Sequence, residues 1–170
     1  MENQLTSSKE QIIISSQALL DHWQGHRRLT RRVIDAFSDG DLFNYSIGGM
    51  RPFSEMAREI MGLAGTGMKG IVTGNWIAST ELDYRSGNLQ ISTKADILRI
   101  WDKVTDDINS FWSQLPLHRF QETIHAFGEY EGEITGIILY WIDNEIHHRA
   151  QGTVYLRSLG IEPPAFWNRD

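Results

Sequence analysis

The chain contains no cysteine, which excludes disulfides, thiolate metal ligands and a thiol nucleophile of its own. It has no apolar run approaching the ~20 residues that span a bilayer. The first residues lack a basic stretch followed by an apolar one, so no signal peptide is visible and a soluble cytoplasmic protein is expected. Positive charge is in deficit: 16 Lys and Arg stand against 22 Asp and Glu, for a net charge of −6 and a pI near 5.5. Non-specific nucleic-acid binding needs many cations to displace phosphate counterions, so neither nucleic acid nor an anionic membrane is the expected partner. Prolines number four, and there is no internal repeat or low-complexity tract. What is present suits a globular protein: 41% hydrophobic residues and six Trp. A length of 170 residues gives one domain, 1–170, with a full core.

Four helical segments can be read from periodicity. The first runs from about Lys9 to Phe37, with Leu19, Trp23, His26, Thr30, Val33 and Phe37 on one stripe, and ends at Ser38-Asp39-Gly40-Asp41. The second starts at Pro52 and runs to about Ile71 on a stripe of Phe53, Met56, Ala57, Ile60 and Ala64. Gly62, Gly65, Gly67 and Gly70 predict fraying or a kink near its end. A polar connection from Thr73 to Ser92 then makes an excursion over one end. The third helix is capped by Thr93 with Asp96 three residues on, carries Ile97, Trp101, Val104, Ile108, Phe111 and Leu115, and stops at Pro116. Leu117 to Gly128 reads as irregular, with Thr123, Ile124 and His125 extended. The fourth helix runs from near Glu131 to about Ser158 and is closed by Gly160, with Phe166 and Trp167 expected to pack back onto the bundle. Stripes of this kind predict an all-α four-helix bundle with a long connection between helices two and three.

The densest chemistry lies in Asp143-Asn144-Glu145-Ile146-His147-His148-Arg149-Ala150-Gln151. It follows Ile137 to Ile142, a run apolar on every side, which marks either a buried helix or one covered by a second copy of the chain. A homodimer is therefore expected. Buried polar groups need partners, because an unpaired one costs about 1–3 kcal/mol. The cluster is thus either a satisfied network or a site. Residues 144 and 148 share a helix face, which Gln151 and Tyr155 extend. Arg27, Arg28, Arg31 and Arg32 read as a solvated basic face. His22 and His26 form a weak H-x-x-x-H pair.

The segment NEIHHRAQ continuing into VYLRSLGIEPPAF, together with GMRPFSEMAREI at 49–60, resembles the DinB-like superfamily, which includes YfiT-type proteins. The resemblance covers essentially the whole chain. It implies a four-helix bundle, often a homodimer, with zinc or nickel held by three histidines: one on helix two and a pair spaced H-x-x-x-H on helix four. Those positions fall on Glu59, Asn144 and His148, of which His148 alone is a histidine. Glu, Asn and His form a harder set than three imidazoles and favour manganese, iron, nickel or magnesium over zinc. His26, Gln151 and Tyr155 are candidate pocket residues around it. The alternative is a hydrogen-bonded remnant with no metal. Three function classes follow: a divalent-metal-dependent transferase or hydrolase acting with a low-molecular-weight thiol, a non-catalytic small-molecule-binding protein, and a stress-associated structural dimer.

Overall fold

The computed structural model describes residues 13–86 and 91–170. Four long helices form the bundle: α1 (Ser16–Ala36), α3 (Phe53–Thr73), α4 (Lys94–Trp112) and α5 (Ile134–Ser158). The expected start of the first helix at Lys9 lies outside the described residues. α1 and α3 each pack on both α4 and α5 and face each other across a diagonal, so the order around the bundle is α1, α4, α3, α5. The architecture is all-α, as the stripes predict.

Local chemistry sets the helix ends. The Ser15 hydroxyl accepts the Ala18 N–H, and Thr93 accepts the Asp96 N–H while donating to the Asp96 carboxylate, the capping arrangement read from sequence. A short extra helix, α2 (Asp39–Asn44), occupies what reads as a terminating loop, because the Ser38 hydroxyl accepts the Asp41 N–H and starts a new turn. α5 is closed by Gly160 at φ 76°, with the Ile161 N–H on the Leu156 carbonyl.

The expected stripes are buried on α1 and α3. On α4, Ile97, Trp101, Val104 and Ile108 are buried, but Phe111 is half-buried and Trp112 takes the next core position. Trp112 meets Trp23 at 6.3 Å and Phe120 at 5.2 Å, contacts that Phe111 does not make.

α3 runs unbroken to Thr73, without the expected fraying. Its glycines are contact surfaces: a Cβ at Gly62 would lie 2.4 Å from the Tyr84 ring, at Gly67 2.3 Å from Trp141, and at Gly70 2.2 Å from Trp76. The α3–α4 connection accordingly runs back along α3, not over one end. After a 3₁₀ turn (Leu117–Gln121), Thr123 to His125 are extended as expected, within β1 (Thr123–Ala126). β1 pairs antiparallel with β2 (Tyr130–Glu133) in a hairpin; β2 takes the residues expected to open the last helix, so α5 begins at Ile134 and not near Glu131.

The tail returns to α1 through Arg28 on the Arg169 carbonyl (2.9 Å) and Arg32 on the Asn168 and Asp170 carbonyls. Phe166 and Trp167 do not pack on the bundle; they are 68% and 74% exposed and meet each other. Backbone carbonyls, not the aromatic rings, hold this segment. Among the described residues no helix is long and apolar enough to cross a membrane.

Candidate functional site

α3 and α5 are neighbours, and the side chains that sequence reading placed together do meet there. Glu59 Oε1 accepts from Asn144 Nδ2 at 3.1 Å and lies 3.1 Å from His148 Nε2. Its other oxygen takes Arg51 Nη2 at 2.7 Å. These contacts, the His148 bond first and then Arg51 and Asn144, pull the Glu59 carboxyl down to about 2 against the opposing effect of burial. His148 Nδ1 faces Gln151 Oε1 at 2.8 Å, and the Tyr155 hydroxyl donates to the Arg51 carbonyl at 2.9 Å. Gln151 therefore belongs to the site and Tyr155 supports it through Arg51. Arg51, eight residues before Glu59 in the R-P-F-S-E segment, was not singled out in the sequence.

A neutral imidazole has one N–H. Either His148 Nδ1–H is donated to Gln151 and Nε2 turns a lone pair toward the Glu59 carboxylate, or Nε2–H is donated to Glu59 and Nδ1 turns one toward Gln151 Oε1. Two facing lone pairs at that distance repel, and the repulsion is relieved by a cation between them or, at Gln151, by exchanging the two ends of its amide. Asn144 Oδ1 is buried with no hydrogen-bond partner. Exchanging the amide's two ends would bring that oxygen to the Glu59–His148 contact. Among the described residues no group of three or more His, Cys, Asp or Glu is placed to hold a metal, so a three-donor set here requires the Asn144 oxygen. With it, the donor chemistry fits a divalent cation. Gln151 on the ring's second nitrogen and Arg51 on the carboxylate's second oxygen are the kind of outer contacts that orient ligands.

His26 does not join this set. Its ring is 2% exposed, its Nε2 meets His22 Nε2 at 3.2 Å, and its carbonyl faces Arg149. It belongs to a second buried cluster. Arg27 is not part of a solvated basic face: it is fully buried, lies 3.8 Å over the Trp101 ring, and donates to Thr105 Oγ1 and the Trp101 carbonyl. It faces Glu145 at 3.7 Å, while the Thr30 hydroxyl donates to Glu145 at 2.6 Å. Burial raises the Glu145 carboxyl and lowers Arg27 to about 10. Spacing held the signal, since Trp23, Arg27 and Thr30 share one helix face.

Glu59 also lines a cavity of about 490 Å³ between α3, the hairpin and the start of α5. Its rings come from Tyr84, Phe127, Tyr130, Tyr140 and Trp141. Phe127 sits at φ 55° beside Gly128 at φ 73°, in a turn closed by the Glu129 N–H on the Ala126 carbonyl. A left-handed backbone costs a residue with a Cβ about 1–2 kcal/mol. The sequence hinted at it only through the Phe-Gly dipeptide.

The profile of the DinB family matches residues 1–169. The chain belongs to the DinB family. Solved structures agree. A DinB-like protein from Bacillus cereus ATCC 10987 superposes with a TM-score of 0.72 at 17% identity, covering 89% of this chain and 97% of its own. The DinB-like protein YjoA from Bacillus subtilis gives 0.67 at 17% identity, covering 89% and 99%. No curated protein matches the sequence. At such identity the likeness carries the DinB fold alone, and site chemistry must be argued from this chain's own residues.

Proposed function

We propose that this DinB-family protein is a cytoplasmic, divalent-metal-dependent transferase that acts with a low-molecular-weight thiol on a small molecule. Glu59, Asn144 and His148 would hold the ion. The observation that carries this reading is the Glu59–His148 contact: an imidazole whose two nitrogens both face oxygen acceptors, beside the buried, unpartnered Asn144 oxygen. A bound divalent ion lowers the pKa of a coordinated thiol or water and so supplies the nucleophile. The chain's own residues prepare the place. Gln151 fixes the ring orientation of His148, Arg51 fixes the Glu59 carboxylate, and the Tyr155 hydroxyl pins the backbone at Arg51. The cavity that begins at Glu59 would position the acceptor molecule.

A second reading is favoured by the saturation of Glu59, which has close contacts with three side chains and needs no ion to be stable there. In that case the protein is a small-molecule-binding or stress-associated structural dimer. Element analysis of untagged protein, followed by titration with nickel, zinc, manganese and iron, separates the two. Near-stoichiometric metal, lost on Glu59→Ala or His148→Ala, is the expected result. Absence of binding at millimolar metal sinks the transferase reading and leaves the second.

A homodimer is part of the proposal. On α5, Leu139, Tyr140 and Val154 remain 43%, 62% and 51% exposed. Ile137, by contrast, is half-buried beside Gly132 of the hairpin, so the chain itself covers some of the surface that the sequence assigns to a partner.

A further inference from the structure

We infer that the cavity beside Glu59 receives an uncharged, planar aromatic small molecule bearing a hydrogen-bonding substituent. This rests on the reading above for the location of the site, through Glu59, but not for the metal.

The first ground is the wall. Two of its rings, Phe127 and Trp141, stand 6.4 Å apart at a steep angle of 71°. A flat ring entering among them finds both edges and faces, the arrangement in which aromatic pairs gain beyond simple burial. A saturated molecule of equal size gains burial only. The volume of about 490 Å³ lies within the range of small-molecule sites.

The second ground is Phe127 itself. Its backbone is held in the left-handed region, where glycine or asparagine is the usual occupant of such a turn. The hairpin keeps a large ring there nonetheless, and that ring forms part of the wall. A strained conformation of this kind points to a role for the side chain it presents.

The third ground is a hydroxyl. A smaller chamber of about 200 Å³ adjoins the cavity and shares Leu63, Tyr84, Arg85 and Phe127 with it. Thr66 lines that chamber, is 2% exposed, and its Oγ1 has no hydrogen-bond partner. A buried hydroxyl left unpaired is costly, and a ligand substituent that enters this chamber would pair it once the side chains covering the oxygen give way.

Charge matching argues for a neutral ligand. Arg85 at the mouth is paired with Glu129 at 3.5 Å, Glu131 with His125 at 2.9 Å, and Glu59 with Arg51 at 2.7 Å. Among the described residues Arg85 is the one cation of the wall and is already paired, so an anionic ligand finds no free positive charge there.

The test uses the full chain, stripped of metal by chelation and then reloaded with nickel or zinc, with binding followed by ligand-observed NMR. The probes are 2-naphthol, its saturated analogue decahydro-2-naphthol, 2-methylnaphthalene, which keeps the ring but lacks the hydroxyl, and 2-naphthoate, which adds a charge. The expected order places 2-naphthol first, with the saturated analogue about tenfold weaker. Phe127→Gly, which suits the left-handed turn, and Tyr140→Ala, at an exposed position, should each weaken 2-naphthol at least several-fold. Thr66→Val should abolish the preference for 2-naphthol over 2-methylnaphthalene while keeping ring binding. If circular dichroism shows Phe127→Gly unfolded, Tyr140→Ala decides. Equal binding of the saturated probe, or no binding of 2-naphthol, overturns the proposal. Tighter binding of 2-naphthoate overturns its claim of neutrality, and an unchanged preference in Thr66→Val overturns its hydrogen-bonding half. Ring binding without metal uptake would sink the metal reading alone; metal uptake without ring binding would sink this one alone.

Discussion

Arg27 and Glu145 face each other at 3.7 Å with both side chains fully buried, one from α1 and one from α5. Their charges are compensated by close neighbours: Thr105 and the Trp101 carbonyl for Arg27, Thr30 for Glu145. Removing one member leaves a buried charge with less compensation, which typically costs about 3–5 kcal/mol. Arg27→Met should therefore destabilise strongly. The double substitution Arg27→Met with Glu145→Leu should recover more than half of that loss, because two apolar groups replace the pair. Urea unfolding of the three variants tests this; a double variant no more stable than Arg27→Met would show that the pair is not what Arg27 supports.

Replacing Glu59 and Asn144 together by His would complete a set of three imidazoles with His148, two from α5 and one from α3. Zinc and nickel affinity should rise by about tenfold or more over the natural sequence, since three histidines with an open position suit those ions. Calorimetric titration of both proteins is the measurement. An unchanged affinity would mean that the three positions do not converge on a common ion.

His26 gives a pH signature. Burial first, then the charges of Arg149 and Arg169 and the nearby His22, hold its ring down to about 3 from an ordinary 6.5. Between those values the unfolded chain binds a proton that the folded one refuses. The native state is thus favoured above about pH 6.5 and loses that share of stability as pH falls toward about 3. His26→Gln should show a shallower fall in urea midpoint between about pH 7 and about pH 5 than the natural protein. A slope equal to that of the natural protein would remove His26 as the source.

Two glycines should respond to alanine with opposite signs. At Gly67 a Cβ would lie 2.3 Å from the Trp141 ring, so Gly67→Ala should cost about 1–3 kcal/mol and disturb the cavity wall. Gly136 has nothing within 4 Å of its Cβ direction, and Gly136→Ala on α5 should stabilise by about 0.5–1 kcal/mol. Thermal melts compare the two directly; a stabilising Gly67→Ala would contradict the packing account of α3.

The homodimer should appear in sedimentation as a single species of twice the chain mass at micromolar concentration. Val154→Asp on the exposed side of α5 should shift it toward monomer without lowering the helix signal. A purely monomeric natural protein would end the proposal.

Periodicity in the sequence determined which faces of the helices enter the core. Leu19, Trp23, Val33, Ile60, Val104 and Ile108 recur at three- and four-residue steps, and only buried stripes need that spacing. Capping chemistry is equally local, so Thr93 and Gly160 could be read directly. The pairing of residues 144 and 148 on one face followed from helix geometry, and their meeting with Glu59 came from family resemblance, not from spacing. What the tertiary structure decided is which polar groups share a partner. Arg27 looks like its neighbours Arg28, Arg31 and Arg32 in sequence, yet it alone turns inward, because Glu145 and Trp101 arrive from α5 and α4 to receive it. The glycines of α3 look like helix breakers until Tyr84, Trp141 and Trp76 are seen lying on them. The cavity is least legible of all. Its walls come from α3, the connection after it, the hairpin and α5, and no local pattern records a space that exists only where four separate segments fail to fill it.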